Sequence, residues 1–284
     1  MTSRNGQRGE NKMDFLGKTA VITGGATGIG FALAKQIGRA GARIIIFEPR
    51  ENRLREAVAA LKSEGIDAKF FIGDVARPED LEALADFAWA ENGRGDIIIN
   101  NAGISGGRKS VIDMDMAEAR NLYDVNFWGA WHGISTFAKR FREDGLSSAI
   151  YATGSENSLF NALPSTGGAY VSGKHALLGL MDVLRKEAPD NIELGIIIPG
   201  WVKSEISERQ VEEAWDADDF AKVIFKQMQA GEFYLVSHPY NVVRMEERWA
   251  EVYAAFDKYA PRHEGDDAAD VQLWVERMRA AREK

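Results

Sequence analysis

The sequence predicts an α/β fold of three layers, a doubly wound parallel sheet with helices on both faces. Three observations carry this. Short apolar runs recur along the 284 residues, at 20–22, 44–47, 69–72, 97–99, 149–152, 193–198 and 233–236. They are continuous rather than alternating, which suits strands buried on both faces. Helix-like segments separate them, at 28–40, 51–64, 78–92, 116–142, 170–188 and 218–230. Strands alternating with helices form βαβ units, and right-handed crossovers leave a doubly wound sheet as the economical topology.

No linker, repeat or low-complexity stretch divides the chain, so one domain over residues 13–238 is expected. The first dozen residues are polar, with Arg4, Arg8 and Lys12 and no apolar core. They read as a flexible tail, 1–12, rather than a secretory signal. After His238 the character changes. Residues 241–259 and 268–284 form two charged amphipathic helices, an extension (239–284) expected to pack on the domain. There Tyr240 or Trp249 would reach the cleft, or the helices would alter the oligomer.

Composition narrows the function. Hydrophobic residues at 45% are enough for a full core, and 43 acidic against 35 basic residues give a net charge of −8. Such a surface repels phosphate backbones, so no nucleic-acid partner is expected. The absence of cysteine excludes disulfides, thiolate nucleophiles and cysteine metal sites. No apolar run approaches the roughly 18 residues of a membrane span, so no membrane partner is expected and the cytoplasm is the default compartment.

The first strand runs into Thr23-Gly24-Gly25-Ala26-Thr27-Gly28-Ile29-Gly30, which opens the first helix. Glycines there let the backbone approach a diphosphate, and the helix start offers unpaired N–H groups to it. The strand–turn–helix context marks dinucleotide binding, with Gly24, Thr27, Gly28, Ile29 and Gly30 as candidate contacts. Glu48 ends the second strand, about 20 residues on, where a carboxylate accepts ribose hydroxyls and repels a 2′-phosphate. NAD is therefore favoured over NADP. Arg50 is the contrary signal, since an arginine in this loop can pair with that phosphate.

Further motifs follow in order. Asp74-Val75, Asn100-Asn101-Ala102-Gly103, Asn126 in a long central helix, Tyr170-Val171-Ser172-Gly173-Lys174 and Pro199-Gly200-Trp201-Val202-Lys203-Ser204 span, with the glycine turn, about two thirds of the chain. In type and order they resemble the classical branch of the short-chain dehydrogenase/reductase family. That resemblance implies a Rossmann fold and an oxidoreductase acting on CH–OH groups. It also implies that Asp74 and Val75 border the adenine and that Asn101, Ala102 and Gly103 line the cofactor site. Pro199 and Gly200 would turn the chain under the nicotinamide, with Val202 and Ser204 meeting its carboxamide. Tyr170 would be the general base or acid, Lys174 would bond the nicotinamide ribose, and Asn126 would hold a proton-passing water. For Asn126 the competing reading is a buried amide satisfied by a neighbouring backbone. With seven tyrosines in the chain, one Tyr-x-x-x-Lys pair is weak as a spacing. Its place after the fifth strand gives it weight.

The family's usual spacing from the tyrosine back to its catalytic serine lands on Asn157. Counting from the strand end instead selects Ser155, with two extra residues in the following loop; Ser158 is a substitute. The chemistry explains the residue types. Oxidising a secondary alcohol removes a hydride from carbon and a proton from oxygen, so the protein must supply a base. A phenol of ordinary pKa about 10 is a poor one at neutral pH. Lys174, four residues on and on the same helix face, is expected to lower it, together with the nicotinamide cation.

His132, His175, His238 and His263 show no zinc-like spacing, and no catalytic metal is expected. The stretch after the nicotinamide segment would be a substrate lid, with Trp201, Ile206, Val211 and Trp215 as an apolar cover. Leu159, Phe160 and Leu163 would form another wall. A bulky hydrophobic or aromatic alcohol, steroid-like ones included, is the expected substrate, and a homodimer or homotetramer the expected assembly. A cis-dihydrodiol dehydrogenase or an NADPH-linked ketone reductase is the alternative within enzymes. A cofactor-sensing module without catalysis is the alternative outside them, and such modules typically lose the tyrosine or lysine retained here.

Overall fold

A computed structural model of the chain describes residues 13–106, 109–163, 166–205 and 212–282. The expected tail 1–12 and the lid residues Ile206 and Val211 lie outside the described residues. Seven parallel strands form one sheet in the order β3-β2-β1-β4-β5-β6-β7. They are β1 (Thr19–Thr23), β2 (Arg43–Glu48), β3 (Ala68–Ile72), β4 (Ile97–Asn100), β5 (Ser148–Thr153), β6 (Ile192–Ile198) and β7 (Tyr234–Val236). Between them run α1 (Gly28–Arg39), α2 (Glu51–Ser63), α3 (Pro78–Asn92), α4 (Met116–Tyr123), α5 (Gly129–Asp144), α6 (Gly168–Glu187) and α7 (Ala217–Gln229). This is the doubly wound, three-layer arrangement that the continuous apolar runs predict.

The runs are continuous because successive residues serve different cores. Ile44 and Ile46 of β2 join one apolar cluster with Leu33 of α1 and Phe220 of α7. Ile45 and Phe47 join the other, with Leu81 of α3, Phe137 of α5 and Met181 of α6. The strand period of two thus feeds both faces at once. β1 pairs with β2 on one side and β4 on the other, and chain order reverses there. Ligands of such sheets bind at this switch point, beyond the carboxyl ends of the strands.

The long central segment departs from a single regular helix. Between α4 and α5 lies one π-helical turn, Asp124–Trp128, in which the Gly129 N–H donates to Asp124 O, five residues back. Gly129 and Gly133 bring this segment close to the sheet, since a Cβ at Gly133 would stand 2.0 Å from Asn100 Oδ1. Such π-turns are frequent at functional sites, and this one carries Asn126.

The chain falls into two compact units, the first ending at Pro239 and the second running from Tyr240. The second holds α8 (Asn241–Tyr259) and α9 (Val271–Arg282), joined through a short 3₁₀ turn at Asp266–Ala269. Among the described residues no helix is long and apolar enough to cross a membrane.

Candidate active site

The carboxyl ends of the strands open into one cleft of about 1140 Å³. Most cofactor-site residues named by the sequence line it: Gly24, Thr27, Gly28, Ile29, Glu48, Asp74, Val75, Asn101, Ala102, Gly103, Pro199, Gly200, Val202 and Ser204. Gly24 (φ +62°) and Gly28 (φ +53°) adopt left-handed backbone conformations that disfavour a side chain. Thr27 stands at the start of α1 without a side-chain hydrogen bond to the helix backbone, which leaves the helix N-terminus to the cleft. Gly30 lies outside the cleft lining and packs within the turn, where a Cβ would stand 2.3 Å from Gly24 O.

Both asparagines of this region are held by hydrogen bonds to neighbouring segments. Asn101 Nδ2 donates to the carbonyls of Thr23 and Gly24 at 3.1 and 3.2 Å, and its Oδ1 accepts from Thr153 Oγ1 at 3.1 Å. Its side chain ties the ends of β1, β4 and β5 together, leaving only its backbone to face a ligand. Thr23, which sequence reasoning missed, completes this knot: its hydroxyl accepts the N–H groups of Asn101 and Ala102, both at 3.0 Å. Asn126 is buried, accepts from Ile104 N–H at 2.7 Å and donates to Ile104 O at 2.8 Å. This pair of bonds holds the strand-end segment Asn101–Ile104 in place. This matches the competing reading of a satisfied buried amide.

Around the reacting end, Ser155, Tyr170 and Lys174 all face the cleft. Ser155 follows β5 and caps the 3₁₀ turn Glu156–Ser158. Its Oγ accepts from Asn157 N at 3.1 Å and from Asn157 Nδ2 at 3.3 Å. With both lone pairs so engaged, the hydroxyl proton is left to donate, and Ser155 shares a hydrogen bond with Tyr170. Ser155 is thus the serine that meets the tyrosine. Asn157 holds it from behind, while the Ser158 hydroxyl is turned back onto Ser155 N at 3.2 Å.

Lys174 is buried, donates to Thr153 O at 2.7 Å, and lies 5.7 Å from the centre of the Tyr170 ring. Removal from water lowers its pKa from 10.5 to about 8. The expected lowering of Tyr170 is corrected for the protein alone. Burial raises the phenol, the Ser155 hydrogen bond opposes that, and the Glu156 charge raises it further. The physical reason is position: the ammonium is anchored on a β5 carbonyl rather than at the phenol oxygen.

The nicotinamide-side segment has a support that the sequence did not reveal. His238 Nδ1 accepts from Gly200 N–H at 3.2 Å and from the Ser237 hydroxyl at 2.7 Å, while Nε2 faces Trp201 O at 3.3 Å. That network assigns the proton to Nε2. Gly200 permits the approach, since a Cβ would stand 2.5 Å from the imidazole. No local signal pointed to His238, because its partners lie 38 and 37 residues away in sequence. Trp215 packs on the same ring, tilted by 32° with centroids 4.9 Å apart, and exchanges backbone hydrogen bonds with Trp201 and Lys203. It lies outside the cleft lining and anchors this segment, while Trp201 and Leu163 line the cleft.

The residues fit a nicotinamide dinucleotide. Bare glycine backbone lies at a helix start, a buried carboxylate ends β2, and a serine–tyrosine–lysine cluster lies at the far end of the same cleft. Among the described residues, no group of three His, Cys, Asp or Glu is placed to hold a metal ion.

Comparison with known proteins agrees with this geometry. A family model described as short chain dehydrogenase matches residues 18–215. The 1-deoxy-11-beta-hydroxypentalenate dehydrogenase of Streptomyces avermitilis is 27% identical over 252 residues, covering 85% of this chain and 93% of that protein. The apo form of LigO from Sphingobium sp. strain SYK-6 superposes with a TM-score of 0.80 at 27% identity, over 94% of this chain and 98% of that one. A short-chain dehydrogenase/reductase from Burkholderia phymatum, solved in complex with NAD, shares the fold at a TM-score of 0.78 and 24% identity, over 86% and 96% of the two chains. The chain belongs to the short-chain dehydrogenase/reductase family, oxidoreductases that act on hydroxyl and keto groups with a nicotinamide cofactor.

Proposed function

We propose that this protein interconverts a secondary alcohol and its ketone, with NAD(H) preferred over NADP(H) and a bulky hydrophobic or aromatic group on the substrate. The observation that carries the reaction is the Ser155–Tyr170–Lys174 cluster at the carboxyl end of β5. NAD, when bound, accepts the hydride from the alcohol carbon, and NADH returns it. The chain handles the proton. Tyr170 takes it from the alcohol oxygen in oxidation and returns it in reduction. Ser155, its proton aimed outward by Asn157, donates to the same substrate oxygen and steadies the charge there. The Lys174 ammonium, 5.7 Å from the centre of the phenol ring, favours the ionised form of Tyr170 once the nicotinamide cation adds its charge.

Glu48 supports the NAD preference, because a buried carboxylate at the end of β2 accepts ribose hydroxyls and opposes a 2′-phosphate. The apolar side chains of Ile104, Ala162, Leu163 and Trp201 along the cleft support a bulky substrate. The pentalenate relative, named for a hydroxylated substrate, supports the CH–OH chemistry. Trp128 and Trp131, half-exposed and stacked with centroids 5.5 Å apart, support a homodimer through the central helix.

A panel of cyclic and aromatic secondary alcohols and ketones, assayed with both cofactors, tests the reading. Turnover with NAD is expected. NADH binding without turnover on any member would return the protein to the cofactor-sensing alternative.

A further inference from the structure

Arg50 is the residue that speaks against NAD in the sequence, and its surroundings reveal a second layer of cofactor selection. Its Nε and Nη2 donate to the two oxygens of Glu48 at 2.8 and 3.1 Å. Its Nη1 donates to Glu205 Oε2 at 2.8 Å. From the first turn of α2, Arg53 Nη2 lies 3.0 Å from Glu205 Oε1. In the glycine turn, the Thr27 hydroxyl donates to Glu205 Oε2 at 3.4 Å. One carboxylate from the nicotinamide-side segment therefore sits on two guanidinium groups and a hydroxyl, beside the carboxylate that would hold the adenosine ribose.

Two guanidiniums and a hydroxyl are also the donor set that recognises a phosphate monoester. We propose that Glu205 is a specificity-determining residue: its carboxylate occupies an anion subsite, formed by Thr27, Arg50 and Arg53, that would otherwise receive the 2′-phosphate of NADP. This rests on the NAD reading above and deepens it. Charge supplies the reason. Glu48 and Glu205 face Arg50 and Arg53, and the other terminal nitrogen of Arg53 lies 3.5 Å from the exposed Glu56, so the clasp holds no surplus positive charge. A dianionic phosphate entering it must displace Glu205 and still face the buried Glu48. With Glu205 neutral, one negative charge is removed from the two arginines, and the Arg53 nitrogen that met Glu205 is open to the phosphate. NAD lacks the 2′-phosphate and gains less from the change.

The contacts of Glu205 are partly exposed, with side-chain exposures of 49% at Arg50, 44% at Arg53 and 41% at Glu205, so each ion pair is individually weak. The expected effect is therefore moderate. In Glu205→Gln, fluorescence titration of NADH and NADPH should move the ratio of dissociation constants about tenfold towards NADPH, equivalent to about 1.4 kcal/mol. Competition by 2′-AMP should strengthen relative to 5′-AMP in the same variant. Adding Arg53→Ala to Glu205→Gln should remove the gain. An unchanged ratio, or equal weakening for both cofactors, would mean that Glu205 only ties the segment down, and would overturn the proposal. The parent reading is judged separately. A wild-type protein that already binds NADPH more tightly overturns the NAD preference, while the change in ratio on Glu205→Gln still decides the role of Glu205.

Discussion

The two ends of the cleft are held together by different physics. At the reacting end, Lys174, Ser155 and Asn126 are buried and fixed by hydrogen bonds to strand-end or neighbouring-turn backbone, or to an adjacent asparagine. At the adenosine end, Arg50, Arg53 and Glu205 are half-exposed and joined by ion pairs. Buried polar groups lose much when a partner goes, whereas exposed ion pairs are worth little each and are screened by salt. The reacting end is thereby rigid and intolerant of change. The adenosine end is softer, and it is there that the proposed Glu205 clasp places cofactor choice.

Four measurements sharpen or break this contrast. The largest effect is expected at Tyr170. Tyr170→Phe should cut turnover by about 10³-fold, within the usual range for a general acid or base, while NADH titration stays near wild type. Turnover above a tenth of wild type would remove Tyr170 from its role.

Next is the buried ammonium. Lys174 titrates at about 8 in the fold against an ordinary 10.5. Between those values the unfolded chain binds the proton more tightly, so stability rises with pH across that window and is lost as pH falls through about 8. At about 1.36 kcal/mol per unit the span is about 3 kcal/mol. Urea unfolding of the wild type and Lys174→Met from pH 7 to 10.5 should show the wild type gaining on the variant with rising pH. A constant difference would mean that the reacting end is not desolvated, and the contrast would fail there.

A smaller effect is expected at His238, whose ring carries two adjacent backbone groups of the nicotinamide-side segment. His238→Ala should lower kcat/KM about tenfold, a cost of about 1.4 kcal/mol that suits the loss of its hydrogen bonds to Gly200 and Trp201. Burial lowers the imidazole pKa below its ordinary value, so Nδ1 is unprotonated near neutrality. As pH falls through that lowered value Nδ1 gains a proton and no longer accepts from Gly200. The acid limb of the wild-type pH–rate profile should therefore be absent or shifted in the alanine variant. Superimposable profiles would assign the limb to another group.

The smallest effect is expected from salt. Raising sodium chloride from about 0.05 M to 0.5 M screens exposed ion pairs and leaves buried neutral hydrogen bonds in place. The NADPH to NADH affinity ratio should move by about two- to threefold, while kcat at saturating NAD changes less. A larger change in kcat than in the ratio would reverse the assignment of which end is soft.

Much of the site was legible in the chain itself, for a physical reason that differs between its parts. Tyr170 and Lys174 are four residues apart on one helix, and the glycine turn is continuous in sequence. In both, local geometry dictates the contact. Ser155 required counting from the strand end, since the extra loop residues displaced it from the family's spacing. Asn126 was legible as a residue but its partner was not, because Ile104 lies 22 positions away and only packing brings them together. The packing of Trp215 against His238 was hidden for the same reason.

By itself, then, the sequence determined the layers of the fold and the glycine turn as the place for a cofactor, and its ordered motifs, through their family resemblance, named the residues that move hydride and proton. The first two follow from periodicity and glycine backbone freedom, which act over a few residues. Only the tertiary structure decided which serine meets Tyr170, that Lys174 is anchored on Thr153, and that His238 props Gly200. It alone set Glu205, 155 residues from Arg50, against the adenosine end. Those contacts join distant segments through hydrogen bonds and ion pairs, whose partners are chosen by where the sheet delivers its strand ends.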